Sequence, residues 1–281
     1  MNKYYAAVVV YNSLISDSET ITNLSKIKNH NISIVVFDNS NIYSIRVENQ
    51  LFSQKNGYTF LSENENIGLS KAYNKILDHL TGREGIVVWF DDDTQVDQNY
   101  FDVLNENINE NYDIYVPVIK AQNGKFYSPN EEGFLKNKQL KSVNGKIRQK
   151  KFNAINSCTA VKLDVYKNYR YDEKLFLDQI DHDFFRSQRL HNKRFFKLPI
   201  IIHHNLSLKD TSGNIESVKQ RFNILIPDYI TYVSKKGRLA KAMGKLKIFG
   251  WGVQQAIKNK NIGFTFWVIR KFLINGQLEK R

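Results

Sequence analysis

Two hydrophobic rhythms alternate over the first 119 residues. Apolar runs rich in β-branched side chains at 4–11, 32–37, 58–61, 85–90 and 112–119 read as strands covered on both faces. Between them the spacing changes to three and four: Leu69, Ala72, Tyr73, Ile76, Leu77 and Leu80 place one apolar stripe along a helix. Strand and helix in turn predict an α/β domain on a mostly parallel, doubly wound sheet with helices on both faces.

Beyond residue 119 the rhythm loosens. The stretch 120–151 is rich in Lys, Asn and Gly and reads as an irregular insertion or a hairpin. Order resumes at 155–161, at 175–189, which starts extended and becomes helical, and at 195–204, another strand. A helix is expected over 215–233, interrupted or kinked near Pro227. Gly237, Gly244, Gly250, Gly252 and Gly263 then punctuate what read as short helices. No internal repeat or low-complexity tract stands out.

Composition narrows the class. With 281 residues, 42% hydrophobic and 13% aromatic, disorder and collagen-like repeats are excluded. A single cysteine, Cys158, cannot form an internal disulfide, which favours a reducing, cytoplasmic compartment and a thiol that is simply core. No apolar run approaches the roughly 18 residues that a transmembrane helix needs. Residues 4–11 run straight into Asn12 and Ser13 without a small-residue cleavage pattern, so they read as a first strand, and the mature chain is expected to begin at Met1.

The net charge of +13 is unevenly spread: residues 235–281 hold 12 Lys or Arg against one acid, Glu279, while the preceding 234 residues hold 29 against 27. A near-neutral body thus carries a cationic tail. Because Leu246, Ile248, Phe249, Trp251, Phe264, Phe266 and Trp267 are interleaved with those cations, the tail suits the headgroup layer of an anionic membrane. Packing on the body or a homodimer interface is the other use of its aromatic residues. Nucleic-acid binding without catalysis would fit the charge but leaves the acidic loops below unexplained.

In doubly wound sheets the residues just after each strand meet in one crevice. Here these are Tyr11 and Asn12; Asp38, Asn39 and Ser40; Glu63 to Gly68; and Asp91, Asp92 and Asp93. Three adjacent carboxylates repel unless a cation compensates them. Asp91 and Asp93, two apart, can point the same way, and hard oxygen ligands suit Mg²⁺ or Mn²⁺ with positions left for diphosphate oxygens. Asp38 at a strand end can accept from a base imide or a ribose hydroxyl, and Asn66 and Gly68 open a helix whose amides are available to a ligand. No G-x-x-x-x-G-K-[ST] or G-x-G-x-x-G occurs, which disfavours P-loop enzymes and dehydrogenases.

In order and spacing over about residues 4–205, this set resembles the family 2 glycosyltransferases, inverting enzymes of the GT-A fold that use nucleotide-diphosphate sugars. Val8 to Asn12 is similar to the family's opening strand and turn, and Val36 to Ser40 to its nucleoside-binding V-D-N-S. Asn66, Gly68, Ala72 and Asn74 match N-x-G-x-x-x-A-x-N, and Asp91 to Asp93 stand at the DxD metal motif. The resemblance implies that Tyr11 and Asp38 hold the base, that Asp91 and Asp92 lie near ribose and diphosphate, and that Asp93 is the principal Mn²⁺ or Mg²⁺ ligand. With the charge distribution, the chain is expected to divide into a nucleotide-sugar-binding half (1–119) and an acceptor-binding and catalytic half (120–234) of one GT-A domain, followed by a basic amphipathic helical tail (235–281).

A later acidic motif of the family deprotonates the acceptor. Phe176 to Arg186 is the matching stretch, similar to the F-I-D-x-x-D-x-[DE] of bacterial rhamnosyltransferase-like members. A carboxylate at a helix start opposite the leaving diphosphate makes a suitable general base, and Asp181 is the choice, with Asp178 and Asp183 as competitors. Of His203 and His204, which end an apolar strand, His204 fits a metal or diphosphate ligand better by its spacing to Ser207. The expected activity is transfer from dTDP-rhamnose or a UDP-sugar to a lipid-linked bacterial surface glycan, by an enzyme held peripherally on the inner face of the plasma membrane. Nucleotidyl transfer to a sugar phosphate is the enzymatic alternative.

Overall fold

The computed structural model describes residues 2–28, 31–121, 123–133, 136–204 and 215–278, with the side chains of 204 and 271–278 outside the description. Two compact units divide the chain, one of residues 1–172 and 181–206, the other of 173–180 and 207–281.

The first unit begins with β1 (Lys3–Val10), α1 (Glu19–Leu24), β2 (Asn31–Asp38), α2 (Tyr43–Asn56), β3 (Thr59–Ser62), α3 (Leu69–His79), β4 (Ile86–Phe90), α4 (Gln98–Asn107) and β5 (Ile114–Ala121). The stretch expected to be an irregular insertion or a hairpin forms short strands: β6 (Phe126–Ser128) pairs with β5, while β7 (Asn130–Glu131) and β8 (Lys138–Gln139), antiparallel to each other, join β9 (Phe152–Asn153) in a small separate sheet. Next come β10 (Thr159–Lys162), α5 (Ile180–Leu190), whose first residue falls in the second unit, and β11 (Phe195–His204).

The main sheet runs β11-β5-β10-β4-β1-β2-β3. Strands β3, β2, β1 and β4 are mutually parallel, as are β5 and β11, and β10 enters antiparallel between β4 and β5. The chain leaves β1 for β2 on one side and reaches β4 on the other, so the order reverses at β1, where sheets of this kind open a ligand crevice. The register sets Val10 beside Asp38 and Val8 beside Phe90, which brings the ends of these strands to one edge.

Burial explains the strand signals. All five residues of β4 are buried, including Trp89, and β1 is buried at every position from Tyr4 to Val8. In α3 the apolar stripe of Ala72, Tyr73, Ile76 and Leu77 faces inward. Cys158 is a free, buried thiol.

The second unit contains α6 (Ile215–Ser234), α7 (Arg238–Lys258) and α8 (Gly263–Leu278). α6 runs through Pro227 as one helix, burying Val218, Phe222, Ile226, Ile230 and Val233. The tail differs from the short helices expected, because α7 continues through Gly244, Gly250 and Gly252. Two of these glycines serve packing: a Cβ on Gly244 would stand 2.8 Å from a Val233 methyl, and one on Gly252 3.1 Å from Val268. The boundary expected between 234 and 235 falls inside this unit, between α6 and α7, and the one between 119 and 120 falls within β5. Among the described residues no helix is long and apolar enough to cross a membrane.

Candidate active site

Asparagines stitch three of the strand-end loops together. After β1 the chain turns at Asn12, which adopts the left-handed conformation with φ 50°. Its N–H donates to Ser40 Oγ at 2.8 Å and its Oδ1 accepts from the Asn41 amide at 2.9 Å. Asn39 donates through Nδ2 to Asn66 Oδ1 at 2.8 Å and accepts the Ile67 amide at 2.9 Å, while Asn41 Oδ1 accepts the Asn66 amide at 2.8 Å. Asn66 Oδ1 also accepts the Gly68 amide at 2.9 Å, and Gly68 enters α3 with φ 87°, where a side chain would be strained. Tyr11 projects from this frame, 49% exposed, its hydroxyl accepting from Asn41 Nδ2 at 3.3 Å.

Asp38 is placed differently from a carboxylate open to a base. It is 0% exposed, and its oxygens accept from the Ser40 amide at 2.9 Å and from Asn49 Nδ2 at 2.8 Å. A short acid at the end of a buried strand meets its own loop's donors first, so Asp38 shapes the turn that presents Asn39, Ser40 and Asn41. Asn49, on α2, also accepts the Ile15 amide at 2.8 Å and donates to the Ser13 carbonyl at 3.0 Å.

The acidic turn after β4 is pinned by its main chain. Thr20 Oγ1 donates to the Asp91 carbonyl at 2.5 Å and accepts the Thr94 amide at 2.7 Å, and Ser18 Oγ donates to the Asp92 carbonyl at 2.7 Å. Asp91 and Asp93 are exposed and Asp92 is half-buried. Burial holds the Asp92 carboxyl above the usual range; a hydrogen bond from Ser13 opposes this, and the charges of Asp93 and Asp91 add to it. Concentrated negative charge on a fixed turn of hard oxygens fits Mn²⁺ or Mg²⁺. Among the described residues no group of three or more His, Cys, Asp or Glu is assembled to hold a metal ion. His204 closes β11 opposite Ala121, and its side chain lies outside the described residues; His203 beside it is exposed.

Of the three later aspartates, Asp181 shares surroundings with this turn. Burial raises the Tyr73 phenol well above its ordinary pKa, and the next two causes are the charges of Asp181 and Asp91. One hydroxyl on α3 therefore feels both the first turn of α5 and the end of β4. The Tyr127 phenol, on β6, is raised by desolvation and then by the charge of Asp181. Asp183 is buried. In the second unit, Asp178 is bound by both guanidinium nitrogens of Arg221, Nη2 at 2.5 Å, and its amide donates to Asp228 Oδ2 at 2.7 Å.

Beneath the site lies an aromatic layer. Tyr73 packs on Trp89 with ring centroids 4.4 Å apart, Trp89 Nε1 donates to the Tyr166 hydroxyl at 2.8 Å, and the Tyr166 and Tyr171 hydroxyls are 3.0 Å apart. Asn74 clamps the Tyr171 main chain, donating to its carbonyl at 3.0 Å and accepting its amide at 2.9 Å. The turn before β10 also reaches the acidic loop: Cys158 has φ 55°, and its thiol is raised by burial and then by the charge of Asp91. Asn41, Asn49, Thr20, Tyr73 and Cys158 were not singled out from sequence for the site. Only the placement of Asn41 just after the Asp38–Ser40 strand end could have flagged one of them.

Residues 6–170 match the family description Glycosyl transferase family 2, which covers more than half of the chain. The chain belongs to glycosyl transferase family 2. No curated protein matches it. Among solved structures it is similar to GalNAc-T7, crystallised with UDP, GalNAc and Mn²⁺ (TM-score 0.57, 14% identity, covering 84% of this chain and 51% of that one). It is also similar to the mannosyltransferase PcManGT from Pyrobaculum calidifontis, in complex with GDP-Man and Mn²⁺ (TM-score 0.56, 12% identity, 99% and 86%). S. aureus TarS 1–349 is a third (TM-score 0.52, 15% identity, 97% and 92%). The chain thus spans about half the length of GalNAc-T7. At these identities the likeness is one of fold, a GT-A-like sheet with flanking helices, and within it this family 2 chain keeps its four acidic and asparagine-rich loops at one sheet edge.

Proposed function

We propose that this chain is an inverting, divalent-metal-dependent glycosyltransferase that moves a sugar, rhamnosyl from dTDP-rhamnose or hexosyl from a UDP-sugar, onto a hydroxyl of a lipid-linked bacterial surface glycan. The observation that carries this reading is that, in a chain of glycosyl transferase family 2, hydrogen bonds join the loops after β1, β2, β3 and β4 at one sheet edge, Ser13 Oγ reaching the Asp92 carboxylate at 3.2 Å. Tyr11 offers a flat, exposed ring for the base, with Asn12 and the Asp38 loop fixing the turn beside it. Asn66 and Gly68 present the start of α3, and Asp92 stands on the ribose and diphosphate side. Asp91 and Asp93, with His204, would hold Mn²⁺ or Mg²⁺; such an ion, when bound, offsets charge on the departing diphosphate. Asp181 takes the proton from the acceptor hydroxyl, and attack from the face opposite the diphosphate inverts the anomeric carbon.

Carboxylates of different exposure suit this division of labour. Asp181 is half-buried on a helix start, where a proton can be received, while Asp91 and Asp93 are exposed on a pinned turn. Titration of nucleotide sugars with Mn²⁺, followed by product analysis, tests the reading. Release of nucleoside diphosphate is expected, and pyrophosphate release would mean nucleotidyl transfer instead. Asp181→Asn should lower turnover at least 100-fold and leave donor affinity unchanged. Asp93→Ala should weaken donor binding only when metal is present. Full turnover by Asp181→Asn would remove it as the base.

A further inference from the structure

α7 carries two apolar stripes. The first, Gly244, Ile248, Gly252 and Ala256, recurs every fourth residue and is buried. Its contacts are known: Gly244 lies against Val233 and Gly252 against Val268. The second stripe, Leu239, Ala242, Leu246, Phe249, Val253 and Ile257, advances by three and four and so forms a continuous row on another side of the helix. It is largely open to solvent: Leu239 is 69% exposed, Leu246 65%, Phe249 48% and Ile257 73%.

The edges of this open row are cationic. At 100° per residue, Arg238 and Lys245 flank the row on the side shared with Ala256, and Lys258 stands about 100° away on the other, where Lys247 lies over the Tyr229 and Trp251 rings at 5.4 and 5.2 Å. From 238 to 258 there is no Asp or Glu. A second copy laid on this row would set two all-cationic helices side by side with no acid on either to answer them. A nucleic acid would satisfy the cations but would leave Leu239, Leu246 and Ile257 without a use. A bilayer rich in anionic lipid answers both features, its phosphates meeting the cationic edges while the aliphatic row enters the acyl boundary.

We infer that the Leu239–Ile257 face of α7 is a docking surface for an anionic lipid bilayer. This assignment goes beyond glycosyl transfer and does not depend on it. The row lies parallel to the membrane plane, because a helix flanked by cations along its length spreads them all at headgroup depth. Docking is reversible and salt-sensitive, since the cations contribute through a screened surface potential.

The test is sedimentation of the full chain with phosphatidylcholine vesicles, with and without phosphatidylglycerol, over a salt series. Binding to the phosphatidylglycerol vesicles, falling as salt rises, is expected. The triple variant Leu246→Gln, Phe249→Gln, Ile257→Gln should lower the partition coefficient on the order of 100-fold. Arg238→Gln with Lys245→Gln and Lys258→Gln should lower it by about 100-fold at low salt and leave the weak binding to pure phosphatidylcholine unchanged. Circular dichroism and melting temperature report folding of both variants, and nucleotide affinity, expected to be unchanged, separates this inference from the transferase reading. Absence of binding to anionic vesicles overturns the inference, as does binding that survives both variants. So does a dimer by light scattering that the apolar variant dissociates, or oligonucleotide binding without vesicle binding.

Discussion

Removing Asn49 tests how the nucleotide-side loops are built. Asn49 is 1% exposed, and its amide makes three bonds: it accepts from Ile15 N–H at 2.8 Å and donates to the Ser13 carbonyl at 3.0 Å and to Asp38 Oδ2 at 2.8 Å. Asn49→Ala deletes all three. Ile15 and Asp38 are both 0% exposed, so water cannot replace the lost partner without opening the turn. A buried neutral group left unpaired costs about 1–3 kcal/mol and a charged one more. Asp38 keeps the Ser40 amide at 2.9 Å, which limits the loss on that side, and the total is on the order of 4 kcal/mol. For a unit of this size each kcal/mol moves Tm by about 2–4 °C, so a fall of about 8–16 °C is expected. Asn49→Asp separates shape from bonding, because it retains the volume and the Ile15 acceptor but turns a carboxylate oxygen toward Asp38. It should melt at least as low. Calorimetry on both variants measures this, and a UDP or dTDP titration on the folded fraction should show weakened binding, since the 11–13 and 38–41 loops share this one side chain. A Tm within about 2 °C of wild type for both variants would refute the reasoning.

The remaining predictions concern the second unit. Gly250 has nothing within 4 Å of an added Cβ, so Gly250→Ala should stabilise α7 by about 0.5–1 kcal/mol in urea unfolding, whereas Gly244→Ala presses on Val233 and should destabilise it. Equal effects at the two positions would reject the packing role of Gly244. Asp228, held above its ordinary pKa chiefly by burial against three opposing backbone hydrogen bonds, retains its proton in the folded state at a pH where the unfolded chain has lost it. Its contribution to stability therefore rises as pH falls from neutral through that raised value. Relative to Asp228→Asn, wild type should gain stability between pH 7 and pH 4, and the opposite slope in urea unfolding would contradict this.

Sequence made the strand-end loops legible because a strand buried on both faces leaves an uninterrupted apolar run, and polar residues after it must lie at the sheet edge. Thus Tyr11, Asp38, Gly68 and Asp91 appear at the edge that pattern predicts. Which atoms those loops use was not legible, because the bonds join residues 25 to 30 positions apart, as in Asn41 to Asn66 and Asn39 to Asn66. Asp38 shows the consequence: its position after β2 follows from the pattern, but its burial depends on Asn49, which looks like any polar residue of an amphipathic helix. Strand direction was hidden for the same reason. Residues 159–162 show a strand's composition, while their antiparallel course between β4 and β5 depends on partners far away in the chain. Glycine misled in the tail, where it reads locally as a helix stop and acts at 244 and 252 as the gap into which Val233 and Val268 fit.

The three carboxylates at 178, 181 and 183 show how helical geometry sorts residues that sequence leaves equivalent. Gln179 takes φ 65°, which turns the chain just before α5, so Asp178 stands outside the helix. There its charge is answered by Arg221. Asp181 and Asp183, two apart in α5, point about 200° away from each other. One must therefore face inward if the other does not, and Asp183 is the buried one. Asp181 remains half-buried and near enough to Tyr73 and Tyr127 to raise both phenols. Asp178→Asn should accordingly lower the stability of the second unit and leave the pH profile of turnover unchanged, while Asp181→Asn removes the acidic limb of the turnover profile, where the wild-type base is protonated, and leaves stability nearly unchanged. If the two variants exchange these phenotypes, the proton acceptor is Asp178 and the ion pair with Arg221 must break during the reaction.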